Sequence, residues 1–423
     1  VLLGLFYGIA WLPWDGHQAV LFDLPARKFY IFGLTFWPQD FFYFAWLLVI
    51  AALSLFFFTA LAGRLWCGYA CPQTVWTDVF LWIERKVEGS RNQQMKLDKG
   101  GMTAEKFRLK ATKHFIWIVF SLYTGFTFVG YFTPIRELSG AMVNFSLGPW
   151  ETFWVFFYGF ATYGNAGWMR EQVCIYMCPY ARFQSVMFDK DTLIISYDEE
   201  RGEPRGGRRK KDDKDTKGLG DCINCTLCVQ VCPTGIDIRN GLQYECIACA
   251  ACIDACDSVM DKMNYPRGLV RYTTEHALEG GKTRVFRPRM FVYATLLLIL
   301  LTAMITSLAT RTPVILDVLR DRNSLYRELP GGLIENIYTI KLINQSNNAR
   351  SFRLTVDGVP GLTLDGVDEE IQVDGGGVLS LPVRARAQRD NAYGIMNITF
   401  AVTAVDDPSV ATEEDSRFLG PTP

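Results

Sequence analysis

The chain has 423 residues, 12 cysteines, a formal net charge of −1 and a hydrophobic fraction of 49%. The near-neutral charge excludes a strongly basic protein, and no nucleic-acid partner is expected. The length allows two or three domains, and the aromatic residues are concentrated in the first 190 positions. We therefore expect a membrane part joined to soluble parts.

Four segments are apolar over the roughly 20 residues that cross a bilayer, at 41–62, 115–132, 150–167 and 290–310. The opening stretch 1–14 is apolar but shorter, and we interpret it as the end of a first spanning helix that starts before Val1. A cleaved signal peptide is the alternative interpretation. The sequence thus predicts an α-helical transmembrane bundle of about five spans.

The basic residues predict the orientation of these spans. The connection 64–113 holds ten Lys or Arg, whereas the loops 15–40 and 133–149 hold two and one. Basic residues stay on the cytoplasmic side of short connections. The connection 64–113 and the long segment before the fifth span are therefore expected inside, and the region after residue 311 outside.

A C-x3-C-P motif lies at the predicted inner end of the second span and again at that of the fourth. Cys67 and Cys71 lie in RLWCGYACPQ, and Cys174 and Cys178 lie in REQVCIYMCPY. Residues four apart on a helix share a face, so each pair is expected one helical turn apart, with the proline disturbing the helix. Two such thiols can bind a soft metal ion or approach disulfide geometry. Buried, inert thiols are the alternative.

The other eight cysteines lie within residues 222–256, in two runs that both read C-x2-C-x2-C-x3-C. In bacterial ferredoxins with two [4Fe–4S] clusters, the fourth cysteine of each run ligates the other cluster. Cluster 1 is therefore expected to take Cys222, Cys225, Cys228 and Cys256, and cluster 2 to take Cys246, Cys249, Cys252 and Cys232.

A pair of zinc knuckles is the alternative for this segment, but zinc sites often recruit His, and no His lies between the first and last of these cysteines. Asp257 departs from the proline expected after the second run and removes no ligand. Beside such a one-electron relay, copper is favoured over zinc at the C-x3-C-P thiols, because thiolates prefer Cu(I) and zinc has no redox chemistry.

The end of the chain is rich in alternating, β-branched segments. They are Ile337–Ile343, Phe352–Val356, Val378–Val383 and Ile395–Val402, and turn residues such as Asn347-Asn348 and Asp357-Gly358 separate them. This pattern predicts a small antiparallel sandwich of immunoglobulin size. A charged, glycine-containing stretch at 198–220 predicts a solvated linker into the ferredoxin domain.

The predicted protein is therefore a multi-domain membrane protein with an inserted 2[4Fe–4S] ferredoxin domain. Its predicted domains are transmembrane helices 1–4 at 1–190, the linker and ferredoxin domain at 191–289, transmembrane helix 5 at 290–311, and an all-β immunoglobulin-like domain at 312–423.

Several stretches resemble the CcoG (RdxA/FixG) proteins over essentially the whole chain. They are the two C-x3-C-P motifs, RFQSVMFDKDTLIISYDEERGEPRG at 182–206, CIDACDSVMDKMNYPRGLVRY at 252–272 and the β-rich tail. The resemblance implies a multi-pass accessory protein of the bacterial inner membrane that acts as a cupric reductase. Such a protein makes Cu(I) for the copper centre of cbb3-type cytochrome c oxidase.

The resemblance also implies roles for residues and domains. Copper would be handled by Cys67, Cys71, Cys174 and Cys178, and two [4Fe–4S] clusters by the eight-cysteine segment. The ferredoxin domain would lie in the cytoplasm and receive electrons from an unidentified cytosolic donor or a quinol. The β-domain would lie in the periplasm and contact oxidase subunits or copper-delivery proteins.

Two other functions are compatible with the same motifs. Membrane ferredoxins that serve nitrate or nitrous-oxide reductase also combine C-x3-C-P pairs with two clusters and are thought to oxidise quinol. A non-catalytic copper chaperone or assembly scaffold is the third hypothesis. The β-rich tail favours the cupric reductase.

The charge distribution generates a test of topology. A reporter enzyme fused after residue 311 should be active only outside the cell membrane, and one fused near Lys214 only inside. If both reporters were active on the same side of the membrane, the predicted span at 290–310 would be wrong.

Overall fold

The computed structural model describes residues 1–210, 218–322, 324–346 and 348–422, without the side chains of residues 182 and 185. Residues 211–217 of the predicted linker and Asn347 of one predicted turn lie outside the described residues. The chain divides into two compact units, Val1–Met304 and Ile305–Pro423. Each unit is described by itself below.

Helices dominate the first unit. They are α1 (Leu2–Ile9), α2 (Phe41–Ala62), α3 (Leu65–Tyr69), α4 (Pro72–Glu88), α5 (Arg91–Lys99), α6 (Ala104–Val129), α7 (Ile135–Val143), α8 (Pro149–Thr162), α9 (Pro179–Val186), α10 (Glu199–Gly202), α11 (Leu227–Gln230), α12 (Ala251–Met263), α13 (Glu275–Leu278) and α14 (Pro288–Ala309), whose end belongs to the second unit. Two π-helical segments, Tyr163–Met169 and Val173–Met177, lie between α8 and α9.

Short strands complete this unit. They are β1 (Pro13–Trp14), β2 (His17–Gln18), β3 (Val20–Asp23), β4 (Lys28–Ile31), β5 (Leu34–Phe36), β6 (Ile194–Tyr197) and β7 (Val270–Thr273). β1 pairs with β2, β4 pairs with both β3 and β5, and β6 pairs antiparallel with β7. The β6–β7 pair brackets the cysteine-rich segment and packs Ile195, Val270 and Met260 of α12 into one small core.

Two helices of the described residues are long and apolar enough to cross a membrane. They are Pro38–Ala62, with a mean hydropathy of 2.4, and Pro288–Ala309, with a mean hydropathy of 2.2. The helix at the predicted span 115–132 is α6, which begins at Ala104, before the span, and carries Lys106 and Arg108 near its start. At 150–167 the α-helix ends at Thr162 and continues as π-helix. The five-span bundle therefore stays a prediction.

Helices α6 and α8 approach each other closely at two glycines. A Cβ atom added to Gly125 would lie 2.4 Å from the carbonyl oxygen of Val155 and 2.8 Å from the amide nitrogen of Gly159. Small residues that let two backbones come this close are typical of helix pairs in membranes. This contact holds α6 and α8 together.

Buried ion pairs connect α4, α6 and the segment before the second C-x3-C-P motif. Lys113 Nζ lies 3.1 Å from Glu84 Oε1 and 2.9 Å from Glu88 Oε1. Arg170 donates to Glu84 Oε2 at 3.0 Å, and Lys110 lies 2.9 Å from Glu88. Lys113 and Glu88 are only 5% and 6% exposed. Because removing one partner would leave a buried charge uncompensated, the network fixes Arg170 relative to α4.

The second unit is an immunoglobulin-like sandwich of two sheets. Its strands are β8 (Val314–Arg320), β9 (Arg327–Leu329), β10 (Leu333–Asn344), β11 (Arg350–Asp357), β12 (Thr363–Asp365), β13 (Ile371–Val373), β14 (Val378–Gln388), β15 (Ile395–Ala404) and β16 (Ala411–Leu419). One sheet has the order β12–β14–β10–β8 with β9 beside β10, and the other has the order β13–β11–β15–β16. The four segments with alternating patterns all lie in these strands, which confirms the predicted mostly-β domain.

The core of this unit lies between the sheets. Tyr338 and Val383 face Phe352 and Phe400, and all four side chains are fully buried. Successive residues of a strand point to opposite faces, so the alternating sequence places every second residue of each strand in this core. The core is separate from that of the first unit.

The sandwich core generates a stability prediction. Phe400→Ala should lower the free energy of unfolding of the second unit by roughly 3–5 kcal/mol, because it removes a fully buried aromatic side chain. Chemical denaturation of residues 305–423 would measure the change. Ile395→Ala in the same strand is the control: Ile395 is 68% exposed, and the change should stay within about 0.5 kcal/mol. Equal losses in both variants would contradict the assigned core.

Candidate iron–sulfur and thiol sites

The eight cysteines of residues 222–256 line two cavities of similar size. The first has about 370 Å³ of free space including its mouth, and its cysteines are Cys222, Cys225, Cys228 and Cys256. The second has about 330 Å³, and its cysteines are Cys232, Cys246, Cys249 and Cys252, together with Cys228, which lines both cavities. The structure therefore brings together the two sets that the sequence predicts as cluster ligands, including the exchange of the fourth cysteine between the runs.

Both cysteine loops have the same unusual backbone geometry. The φ angles are 54° at Asn224 and 58° at Thr226 in the first loop, and 55° at Ala248 and 62° at Ala250 in the second. Left-handed conformations cost non-glycine residues roughly 1–2 kcal/mol each. The second such residue of each loop directly precedes a helix, α11 or α12. The repeated turns wrap each loop around its cavity and start the helix that carries the next cysteine.

The buried thiols interact within each set. Burial raises the pKa of Cys256 to about 12, and Cys228, Cys222 and Cys225 of the same cavity add to the increase. Burial likewise raises the pKa of Cys252 to about 12, with Cys246 and Cys249 among the contributing thiols. Metal ligation deprotonates a thiol outright, so four thiolates in such a cavity need positive charge beside them. Iron held in a [4Fe–4S] cluster supplies it.

The shape of the cavities suits a cluster better than a single ion. Across the residues that the structure describes, no three His, Cys, Asp or Glu side chains converge on a point that could hold a metal ion. A [4Fe–4S] cluster takes four thiolates around its volume. Cysteines distributed over the walls of a cavity meet that requirement.

Sequence reasoning missed Arg239 and Tyr197, which both line the first cavity. Arg239 lies within hydrogen-bond distance of both carboxylate oxygens of Asp237, at 2.8 Å and 2.6 Å, and donates to Asn224 Oδ1 at 2.7 Å. The paired Asp237 carboxylate raises the pKa of Arg239 above its usual value. Arg239 and Asp237 thus place an ion pair at the first cavity, and Arg239 fixes the cysteine loop through Asn224. No spacing rule of the cysteines indicates this residue.

The C-x3-C-P motifs differ from the predicted geometry. Cys67 lies in α3, but Cys71 has an extended backbone (φ −62°, ψ 127°) and caps α4, which starts at Pro72. Cys174 lies in a π-helical segment, and Cys178 is again extended (φ −84°, ψ 108°) before α9. The disturbance expected at each proline is present, but the two thiols of a motif do not lie one turn apart on the same helix. Proline disfavours helical backbone in the residue before it, so each motif is a break between two helices.

The two motifs nevertheless form one group. Cys71 and Cys178 each interact electrostatically with both Cys67 and Cys174. Cys67 Sγ donates to Gln184 Oε1 at 3.3 Å, and the fully buried Gln184 lies in α9, directly after the second motif. The four predicted copper-handling cysteines are therefore half-buried neighbours, called the thiol site below. Among the described residues, no three of them converge on one point that could hold a metal ion.

The fold and the paired cavities define a ferredoxin-type iron–sulfur protein. Residues 169–275 match the family of the 4Fe-4S dicluster domain, and residues 44–89, which include Cys67 and Cys71, match a 4Fe-4S binding domain. Residues 304–421 match the family described as the IG-like fold at the C-terminal of FixG.

Similar proteins extend over most of the chain. Protein RdxA of Cereibacter sphaeroides is 41% identical over 99% of this chain and 88% of its own length. Nitrogen fixation protein FixG of Rhizobium meliloti is 41% identical over 86% of this chain and 76% of its own length. The chain therefore belongs to the RdxA/FixG family, and it is an oxidoreductase-like protein of electron transfer.

Two further similarities are partial. Ferredoxin-type protein NapH of Haemophilus influenzae is 25% identical over 46% of this chain and 56% of its own length. The crystal structure of a FixG-related protein from Vibrio parahaemolyticus is 35% identical and covers 26% of this chain and 96% of that chain, with a TM-score of 0.24.

The cavities generate a prediction about iron. The loaded protein should contain about eight irons per chain and, on reduction, show the EPR signal of two interacting [4Fe–4S]⁺ centres. Cys256→Ser should damage the cluster of the first cavity, and Cys232→Ser that of the second, because each removes one ligand from one set. Iron analysis with EPR measures both. A fully loaded protein with only about four irons, or with stoichiometric zinc, would contradict the assignment.

Proposed function

We propose that this chain is a multi-pass protein of the bacterial inner membrane that reduces Cu(II) to Cu(I). The product would serve assembly of the copper centre of cbb3-type cytochrome c oxidase. The observation that carries the proposal is the thiol site of Cys67, Cys71, Cys174 and Cys178, which two helix breaks assemble in the same compact unit as the cluster cavities. Copper is the substrate in this proposal, and the two [4Fe–4S] clusters are resident cofactors.

The ligand preference of sulfur favours reduction of copper at this site. Thiolates favour Cu(I), whereas Cu(II) prefers nitrogen and oxygen ligands. A site of four cysteine sulfurs therefore binds the product more tightly than the substrate. For a one-electron couple, each tenfold preference for Cu(I) raises the reduction potential of the bound copper by about 59 mV.

The reaction consumes one electron and no proton for each Cu(II). Bound clusters would supply one-electron carriers between an external low-potential donor and the copper. The donor is proposed to be a reduced cytosolic carrier or a quinol. The chain's own contribution is to hold the thiols of both motifs together and to keep them close to the second cavity.

The proposed arrangement has about five spans, with the ferredoxin part in the cytoplasm and the β-domain in the periplasm. The apolar helices Pro38–Ala62 and Pro288–Ala309 support it, because they flank the motifs and the ferredoxin part in the sequence. The second unit, with its own core, is proposed to contact oxidase subunits or copper-delivery proteins.

The partial similarity to NapH favours a second candidate function, electron transfer from quinol. A non-catalytic copper chaperone or scaffold is the third. An anaerobic titration of the pre-reduced protein separates all three. A cupric reductase loses one electron per Cu(II) added, a chaperone binds copper without losing any, and the clusters of a quinol oxidase are reduced by a quinol analogue.

The thiol site generates the central prediction. Replacing Cys67 and Cys71 together with Ser, or Cys174 and Cys178 together, should leave the iron content at about eight per chain, because no cavity cysteine is changed. Copper affinity and Cu(II) reduction should fall by more than the roughly 10–100-fold that loss of an outer-shell partner costs, because serine oxygen is a poor ligand for Cu(I). Copper binding and the rate of Cu(I) formation are measured with a Cu(I)-specific chelator.

Cys249→Ser is the converse control, since it changes the second cavity and none of the four motif cysteines. It should lower the iron content and the electron supply while copper still binds. Unaltered Cu(II) reduction in a protein that lacks all four motif cysteines would contradict the proposed site. Loss of iron from the motif variants would show that these thiols hold iron.

A further inference from the structure

One loop of the second cavity lies directly against the first C-x3-C-P motif. Gly68 lies between Cys67 and Cys71, and a Cβ atom added there would lie 2.7 Å from the carbonyl oxygen of Ala248 and 2.8 Å from that of Ile247. These distances are too short for any side chain, and both contacts are to backbone. Ile247 and Ala248 belong to the loop Cys246–Cys249, so only glycine at position 68 permits this approach.

A buried arginine lies at the same contact. Arg64 is 4% exposed and donates to the carbonyl oxygen of Cys246 at 3.5 Å and to that of Ala181. Its electrostatic partners are the thiols of Cys67, Cys246, Cys174 and Cys178. A buried charge needs polar or charged partners, and the two carbonyl oxygens and the neighbouring thiols surround the guanidinium. Arg64 therefore couples the loop Cys246–Cys249 to the thiol site.

Two tyrosines also hold the loop Cys246–Cys249 in place. Tyr272 Oη donates to the carbonyl oxygen of Ala248 at 2.7 Å. Tyr69, the residue after Gly68, has its hydroxyl 3.1 Å from that of Tyr272. The loop Cys246–Cys249 is thus attached to the first motif by close packing and by a chain of hydrogen bonds.

The equivalent loop of the first cavity is held differently. Its residue Asn224, which corresponds to Ala248, accepts a hydrogen bond from Arg239, and both residues lie in the ferredoxin part. The lining of the first cavity runs from Tyr197 to Val270 and includes no motif residue. The two cavities are therefore alike in their ligands and different in their relation to the thiol site.

We propose that the second cavity is the electron exit of the ferredoxin part, and that Gly68 is the positioning residue that lets the loop Cys246–Cys249 contact the thiol site. The first cavity is then the entry. Electron tunnelling falls steeply with distance, so the cavity in contact with the motif is the one from which an electron reaches a bound copper ion. The acceptor in this inference rests on the proposed function, but the contact of Gly68 with the loop does not.

Gly68→Ala tests the proposal, with Gly164→Ala as the matched control. Alanine is the better helix former, so the change in α3 is unfavourable only if the contact with Ile247 and Ala248 matters. Gly164 lies in a π-helical segment near the second motif, and a Cβ there meets nothing within 4 Å. Three readouts are compared in both variants: iron content, hydrogen exchange of residues 246–250, and reoxidation of the pre-reduced protein.

Gly68→Ala should retain about eight irons per chain and exchange residues 246–250 faster than the wild type. Reoxidation by Cu(II), followed through the cluster absorbance, should slow roughly tenfold or more, since small displacements of reacting groups cost this much or more. Reoxidation by ferricyanide, a soluble oxidant that does not need the thiol site, should keep the wild-type rate. Gly164→Ala should match the wild type in every measurement.

If Gly68→Ala has the hydrogen exchange and the iron content of the wild type, the proposed role of the Gly68 contact is contradicted. Faster exchange with an unchanged Cu(II) rate overturns the assignment of the exit. If Gly68→Ala loses its iron, Tyr272→Phe decides by the same criteria, because it removes only the hydroxyl that donates to Ala248. If Cu(II) does not reoxidise the wild type at all, the proposed function fails, and the exchange difference between the two glycine variants still decides the contact.

Discussion

The cost of burying thiolates away from water is the constraint on which the first unit depends. Cys252 and Cys256 are half-buried; desolvation raises the pKa of each to about 12, and neighbouring thiols add to the increase. All twelve cysteines of the chain lie in this unit. Deprotonated sulfurs can remain there only beside positive charge. The iron of bound clusters would supply it within the cavities, and Arg239, paired with Asp237, and Arg64 lie at their borders. The positions of these two arginines are therefore as much a part of the site as the cysteines.

Two backbone features bring the cysteine sulfurs together. In the ferredoxin part, paired left-handed residues wind each loop around its cavity, at Asn224 and Thr226 and again at Ala248 and Ala250. In the C-x3-C-P motifs, a proline forces the second cysteine into an extended conformation between two helices. Both devices are local, and both occur twice in the chain. The repetition explains why the two cavity loops have the same backbone geometry, and why the second cysteine of both motifs is extended.

The relation between these sites arises from long-range contacts. The buried pairs of Lys113 with Glu84 and Glu88 fix α4 to α6, and Arg170 extends the network to the residues before the second motif. Gly68 then allows the ferredoxin part to contact the first motif without an intervening side chain. Such close packing suits electron transfer, because tunnelling falls steeply with distance. The second unit needs no part in it, since its core is self-contained.

The sequence by itself determined the features that are set by short-range spacing. The crossed cysteine sets follow from the interval between ligands in a run, and the strands of the second unit follow from alternation, as in Ile398, Phe400 and Val402. The expected turn of helix between the motif cysteines does not form, because Pro72 and Pro179, which were expected to disturb the helix, end it before the second cysteine. Only the tertiary structure decided that Gly68 meets Ala248, that Arg239 fixes Asn224 and that Glu84 pairs with Arg170. Each of these contacts joins residues that lie far apart in the chain or in different loops, and no periodicity or composition records which surfaces will meet.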